Sequence, residues 1–415
     1  MSEAADFLDF LRATPSSFHA AAEVAARLEA AGFSRQDPGT PWDATPGGHV
    51  LVSGGATVAW WVPASASPAS AFRVVGAHND SPGFVVKPKA EFTAAGWRQL
   101  AVEVYGGPII PSWFDRDLEL AGRLALRDGS TALVRTGSIA RIPHLAIHLY
   151  RSNDFEPDRQ RHVQPVLGPE GTGRPLKESL ADAAGVAVGD IVAADLITVD
   201  AQGPAELGGM LAAGRLDNLT SVWAGLEAIT AASREVPEGS DVLVLAAFDH
   251  EEVGSASPTG AGGPLLTRVL ERTARALGAD GDARAAMFER SFCVSADAAH
   301  SVHPNYPEKH DPGHHPILGR GPVTKINANQ RYSSTAVTVA RWRAALAAAG
   351  VRGQDFVGNN AVPCGSTIGP ISATRTGVPT VDVGVPLLSM HSARELCDPA
   401  DVAGLAAALT AYYRL

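Results

Sequence analysis

At 415 residues the chain is longer than one hydrophobic core usually fills, so length alone predicts about two or three domains. Hydrophobic residues make up 45% and charged residues 19%, a balance that excludes a disordered chain. The net charge of -10, from 44 acidic against 34 basic residues with no Lys/Arg cluster, excludes nucleic acid and an anionic membrane surface as expected partners.

The opening MSEAADFLDF carries acids where a secretory leader needs a basic start and an apolar core, and no apolar stretch approaches membrane-spanning length. A cytoplasmic protein is expected. AADFLDFLRATPSSFHAAAEVAARLEAAG (4–32) reads as two amphipathic helices split by TPSS, whose serines are good caps, with Gly32 as the stop. TVAWWVPA and FRVVGAHND then read as strands, the second breaking into polar residues at its end. From about 89 to 206 the texture changes to alternating segments such as LELAGRLALRD, STALVRTG and PHLAIHLY, with a charged, Pro/Gly-rich stretch at 151–177. From 214 onward helix and strand patterns alternate: LTSVWAGLEAITAA helical, DVLVLAAFD and SFCVSADAA strands, TAVTVARWRAALAAAG helical, PTVDVGV a strand. This order predicts an α/β fold in which residues 1–88 and 207–415 form a discontinuous domain, a sheet covered by helices, and residues 89–206 are a β-rich insert. Cys293, Cys364 and Cys397 are isolated and lack CxxC spacing, so neither a disulfide framework nor a cysteine metal site is expected.

Ligands of open α/β sheets sit beyond the carboxyl ends of the strands. VVGAHND delivers His78 and Asp80 there, VLAAFDHEE delivers Glu251 and Glu252, and FCVSADAAH delivers Asp297. Asp217, in AGRLDNLTS, stands at the start of a predicted helix, where its charge suits the helix dipole, and His391 follows another strand and turn. Imidazoles and carboxylates without cysteine are the ligand set of a hydrolytic zinc, cobalt or manganese site. A dinuclear hydrolase needs a bridging carboxylate, terminal ligands for each ion and one uncommitted carboxylate to take a proton from water. Neighbouring side chains on an extended strand end face opposite ways, so Glu252 could turn to metal while Glu251 faces water and substrate.

Each residue taken singly has a simpler explanation: a turn at His78-x-Asp80, an N-cap at Asp217, a solvated strand end at Glu251 and Glu252, a turn cap at Asp297. Element ends that all finish in ligand-type residues are better explained jointly, as a metal site. The HExxH arrangement is excluded, because Gly254 stands where its second histidine is needed. The histidines of HSVHPNYPEKHDPGHHP lie among prolines and a glycine, so an irregular loop or substrate contact is expected rather than metal ligation. GSTIGP (365–370) lacks the lysine of a phosphate loop and reads as a close backbone turn lining the site.

Together, GAHNDSPGF, GRLDNLTS, FDHEEVGS, SADAAHSVHPNYPEKH, GPVTKINANQRYSS and SMHSARE resemble the aspartyl aminopeptidase family of dinuclear metallopeptidases, in order over nearly the whole chain. The resemblance implies a mixed central sheet of zinc-peptidase type and two divalent metal ions, zinc with manganese or cobalt as alternatives. It implies a bridging Asp217, His78 and Asp297 on one ion, Glu252 and His391 on the other. Glu251 would be the general base, and Asp80 the acceptor that fixes the tautomer of His78. Substrates would be small peptides with a free N-terminus, with Asp or Glu preferred and Lys325 as the cation of the specificity pocket. A neutral apolar preference is the alternative, as is a solvated surface position for Lys325. The insert would build a dimer, dimers would build a closed homo-dodecamer, and a histidine of RIPHLAIHLY, His144 ahead of His148, would reach a neighbouring subunit's site. Both histidines could instead pack on one face of a strand. Two rival functions use the same residues: a dinuclear amidase or deacylase for acylated amino acids, and a non-catalytic scaffold.

Overall fold

The computed structural model describes residues 3–152, 154–235 and 241–415. Its main body is a nine-stranded mixed sheet with the spatial order Ser34–Arg35, Gly47–Ser53, Ala56–Val62, Val242–Phe248, Phe72–His78, Phe292–Ala296, Thr380–Gly384, Val323–Ile326, Gln354–Val357. The four strands from Val242–Phe248 to Thr380–Gly384 are mutually parallel, so their carboxyl ends share one edge. Val242–Phe248 is buried at every position, which is why its sequence is a continuous apolar run rather than an alternating one.

Alternate residues of these strands feed two cores. Val75, Leu245, Val294 and Val383 pack under the helices Leu216–Ser233 and Pro399–Arg414. Val58, Val74 and Val244 face the other way, against Leu265–Ala276, Gly281–Arg290 and Ile368–Thr376. Each fully buried Val or Leu contributes about 1.5–3 kcal/mol relative to exposure, so the central strands are the best-anchored part of the chain. Helix ends follow local chemistry: the Ser16 hydroxyl accepts the His19 amide at the start of Ser17–Ala30, and Thr335 with Thr338 forms a capping box at the start of Ala336–Ala348.

A closed barrel of six strands stands beside this sheet, in the order Ile191–Asp200, Gly83–Ala94, Trp97–Tyr105, Val166–Pro169, Thr131–Arg141, Asp117–Leu126. Its interior is filled by Phe84, Leu100, Val102, Trp113, Leu118, Leu120 and Leu196, and the short strand Val166–Pro169 closes it by pairing with Trp97–Gln99 on one side and with Arg141 on the other. The barrel strands run from Gly83 to Asp200, inside and slightly ahead of the β-rich texture at 89–206. Among the described residues no helix is long and apolar enough to cross a membrane, and all three cysteines are free.

Two local expectations change. RIPHLAIHLY does not continue as a strand: Thr131–Arg141 ends before it and residues 143–150 are irregular. Pro143 has no N–H to donate to a ladder, and the His144 amide turns instead to the Asp115 carboxylate at 3.1 Å. GSTIGP is not a bare turn either. Thr367 caps the helix Ile368–Thr376, and its hydroxyl donates to the buried Asp382 at 2.7 Å.

Gly384 ends the strand paired with Phe292–Ala296, and a Cβ there would collide with the backbone carbonyl of Asp297. Backbone cannot swing aside as a flexible side chain can. Gly384→Ala is therefore expected to destabilise the fold by about 1–3 kcal/mol, read as a lower denaturation midpoint; an unchanged midpoint would show that the Asp297 turn yields freely.

Candidate metal centre

The carboxyl edge of the sheet gathers the acids, each held by a specific backbone device. Phe248 pairs in register with His78. The chain then leaves the strand: His250 takes the left-handed conformation with φ 63°, and Glu251–Val253 forms one 3-10 turn. Glu251 and Glu252 thus diverge for a reason other than strand alternation. Successive residues of a three-per-turn helix point about 120° apart, which sends Glu252 toward His391 and Glu251 toward His78.

Asp80 pins this turn. Its Oδ1 accepts the Glu251 amide at 3.0 Å, and its Oδ2 accepts the Glu252 amide at 3.1 Å and the Tyr105 hydroxyl at 2.8 Å. The nearest acceptor for His78 Nδ1 is the Asp80 backbone carbonyl at 3.1 Å, with the carboxylate Oδ1 at 3.4 Å. That bond places the ring proton on Nδ1 and leaves Nε2 to face the other acids.

Asp217 sits where Leu216–Ser233 begins, after Arg215 at φ 66°, and neither Asp217 (ψ 105°) nor Asn218 is helical. It is not the N-cap, a position that Arg215 holds without a side-chain bond, and its Oδ1 is buried without a hydrogen-bond donor. Three contacts hold the segment: Ser81 Oγ donates to the Asp217 carbonyl at 2.7 Å, Glu395 Oε2 accepts the Asp217 amide at 3.1 Å, and Asn218 Nδ2 donates to the Ala296 carbonyl at 2.9 Å. His391 has φ 68°; its amide donates to Glu395 Oε1 at 2.7 Å, and its Nδ1 lies 3.0 Å from the Gly107 carbonyl, which again turns Nε2 inward.

The resulting separations are uniform. His78 Nε2 is 3.4 Å from Asp217 Oδ1 and 3.4 Å from Asp297 Oδ1, while His391 Nε2 is 3.4 Å from Asp217 Oδ2 and 3.5 Å from Glu252 Oε2. These exceed ordinary hydrogen bonds of about 2.7–3.2 Å. Two ligands each about 2.0–2.1 Å from one tetrahedral zinc stand about 3.3 Å apart, so the spacing fits coordination better than hydrogen bonding. Among the described residues three metal-competent trios arise: His78, Asp217 and Asp297; Asp217, Glu252 and His391; and His78, Glu251 and Glu252. The first and second share Asp217. Glu252 Oε1, like Asp217 Oδ1, is buried without a hydrogen-bond donor, which is the condition of an atom built for a cation.

Electrostatics point the same way. Burial pushes the Glu251 carboxyl up to about 7, with Asp297 and Asp217 adding to the shift, and burial likewise raises Glu252. For Asp217 burial works upward too, yet the flanking His391 and His78 prevail and hold it well below the carboxylate range. Burial would lower both imidazoles, but Asp217 and the other acids lift His78 strongly and His391 to about 9. The acids pull positive charge into the site, a demand that divalent cations meet. Glu251 is the more open of the glutamate pair, with its side chain 16% exposed against 3% for Glu252.

Lys325 is buried, not a surface lysine: its Nζ donates to the Ala298 carbonyl at 3.1 Å, lies 3.6 Å from Asp297 Oδ2 and sits over the Tyr332 ring. His144 does not join the cluster; it is exposed and stacks on Phe155 with ring centroids 4.3 Å apart. In the 300–316 loop His310 and His314 serve local structure, where His310 Nε2 accepts the His303 amide and Asp311 takes His314, whereas His300 packs against Phe356 within reach of the charges of Lys325, Asp217 and His391. A cavity of about 550 Å³ between barrel and sheet touches Asp80, Asp217 and Glu395 but none of His78, Glu251, Glu252, Asp297 or His391, so it backs onto the cluster rather than opening to it. Sequence reasoning missed Tyr105, Gly107 and Glu395. Glu395 stands four residues after His391 inside SMHSARE, a proximity that could have flagged it.

The family model described as aminopeptidase I zinc metalloprotease (M18) matches residues 10–413. A probable M18 family aminopeptidase 2 of Streptomyces avermitilis is 50% identical over 98% of this chain and 96% of its own length. Among solved structures, the cryo-EM structure of the Ape4 and Nbr1 complex superposes with TM-score 0.95 at 34% identity, covering 100% of this chain and 85% of that one. The S. cerevisiae mApe1 dodecamer gives TM-score 0.88 at 26% identity, covering 99% and 96%. With a match of this extent and a histidine–carboxylate cluster fit for metal, the chain belongs to the M18 family of zinc aminopeptidases and is a metallo-aminopeptidase.

Proposed function

We propose that this aminopeptidase removes N-terminal Asp and Glu from small peptides at a centre of two divalent ions, zinc or, in its place, manganese or cobalt. The observation that carries this is the division of Asp217, whose Oδ1 faces His78 and whose Oδ2 faces His391 at equal distance. Asp217 would bridge, His78 and Asp297 would complete one set of ligands, and Glu252 and His391 the other. When bound, such a pair of ions acidifies a water and polarises the scissile carbonyl. Glu251 takes the proton from the attacking water and returns it to the leaving amine, a task suited to a carboxyl raised to about 7. Asp80 keeps Glu251 and Glu252 at their posts through their amides. The surrounding buried carboxylates receive the free α-amine of the substrate, which confines cleavage to the N-terminus.

Lys325 supplies acidic selectivity. It gives one N–H to the Ala298 carbonyl and retains further donors for a substrate carboxylate, beside Asp297. The barrel builds the dimer, and dimers the dodecamer, in line with the mApe1 dodecamer. Leu145, Ile147 and Leu149, 49%, 69% and 74% exposed, form an apolar run beside His144 that an assembly would cover, bringing His144 to a neighbouring site.

Hydrolysis of matched Asp-, Glu-, Leu- and N-acetyl-Asp amides tests the substrate assignment. Asp and Glu should be cleaved and the acetylated amide spared, and Lys325→Met should lower kcat/KM for Asp by more than roughly tenfold while leaving Leu nearly unchanged. A Leu preference in the wild-type protein would remove the acidic assignment, and cleavage of the acetylated amide would favour a deacylase. Separately, Glu251→Gln should reduce kcat by roughly 10²–10⁴-fold with metal content unaltered. Near-normal turnover in that variant would rule Glu251 out as the base.

A further inference from the structure

We propose that Glu395 is a positioning residue that sets the spacing between Asp217 and His391, and so the affinity of the metal position those two share. The proposal rests on the assignment of Asp217 and His391 as ligands. Glu395 opens the strand Glu395–Cys397, pairs with Ala213 in Met210–Ala213, and is 1% exposed. Among the described residues it forms no ion pair with Lys or Arg. A carboxylate buried without a cation costs several kcal/mol unless hydrogen bonds satisfy it.

Its two oxygens are satisfied by two backbone amides and nothing else described: Oε1 takes the His391 amide at 2.7 Å, and Oε2 the Asp217 amide at 3.1 Å. Those amides belong to segments far apart in sequence, and both lie in non-helical backbone that offers no regular acceptor. His391 has φ 68°, and Asp217 has ψ 105° at the kinked start of its helix. One rigid side chain therefore ties together the two loops that carry the facing groups. Asp80 does the same for Glu251 and Glu252. The two clamps together fix the backbones of four residues around the cluster while neither is among the metal-competent trios.

Asp401 provides a matched comparison. It is equally buried at 1% and likewise accepts two backbone amides, Gly319 at 2.7 Å and Gly321 at 2.6 Å, but neither residue belongs to the cluster. Asp401→Asn and Glu395→Gln impose the same chemical change, replacing one acceptor oxygen with an NH₂ that confronts an N–H. Only the second should reach the metals.

The experiment uses the full-length chain and zinc itself as probe, by competition with a chromophoric chelator, with cobalt absorption spectra as a second readout. Wild-type protein should hold two ions; Glu395→Gln should weaken one of them roughly 10- to 100-fold and alter the cobalt spectrum. Asp401→Asn should lose thermal stability with both affinities intact. Wild-type affinity for both ions in Glu395→Gln would overturn the proposal, as would an equal loss in Asp401→Asn, which would assign the effect to general destabilisation. Should Glu395→Gln not fold, Glu395→Asp, which keeps the charge but is too short to span both amides, is read in the same way. Fewer than two ions in the wild-type protein would instead overturn the ligand assignment itself.

Discussion

Asp217 is buried with one carboxylate oxygen 3.4 Å from each of two imidazoles, and the rest of the site is arranged around that division. A carboxylate taken from water into a protein interior costs several kcal/mol unless it is compensated. His78 and His391 compensate it from either side, and Asp297 and Glu252 stand behind them. The backbone conformations that bring Asp217 and His391 there are unusual: the helix start is unwound and His391 takes positive φ. Those conformations persist because Glu395, Ser81 and Asn218 absorb the polar groups that a regular element would have satisfied.

The barrel is part of this arrangement rather than an appendage to it. Its strand Trp97–Tyr105 ends with the Tyr105 hydroxyl on Asp80, and the next residues lean on the histidine–carboxylate cluster. The Gly107 carbonyl lies 3.0 Å from His391 Nδ1. Gly106, at φ +67°, passes so close to Glu252 that a Cβ would sit 3.1 Å from the glutamate Cβ. Displacing the barrel would therefore release Asp80, Glu252 and His391 together. A barrel that also carries the exposed run Leu145, Ile147 and Leu149 links the proposed assembly surface to the metal cluster through one folded unit.

Much of this was legible in the sequence because the relevant signals are local. A continuous apolar run ending in FDHEE is a central parallel strand delivering acids to a sheet edge, and Val242–Phe248 is that strand. His78, Asp217, Glu252, Asp297 and His391 are ligand-type residues at element ends in the sequence, and the fold brings them within reach of one another. What the sequence concealed depends on backbone geometry or on contacts between distant segments. Strand alternation predicts opposite directions for Glu251 and Glu252, but a 3-10 turn sets them. The strand expected through His144 fails at Pro143, because the barrel ladder needs an N–H that proline lacks. Glu395 reads as an ordinary polar residue until Asp217 is folded against it, and the alternative of a surface position for Lys325 falls to its burial beside Asp297.

The central claim is that Asp217 is shared by two metal positions. Anomalous diffraction at the zinc edge, from crystals of the full-length chain grown with zinc, tests it most directly. Two peaks about 3.5–4 Å apart are expected, both in contact with Asp217, one against His78 and Asp297 and the other against Glu252 and His391. A single peak, or a second peak that does not touch Asp217, would contradict the shared carboxylate on which the site is built.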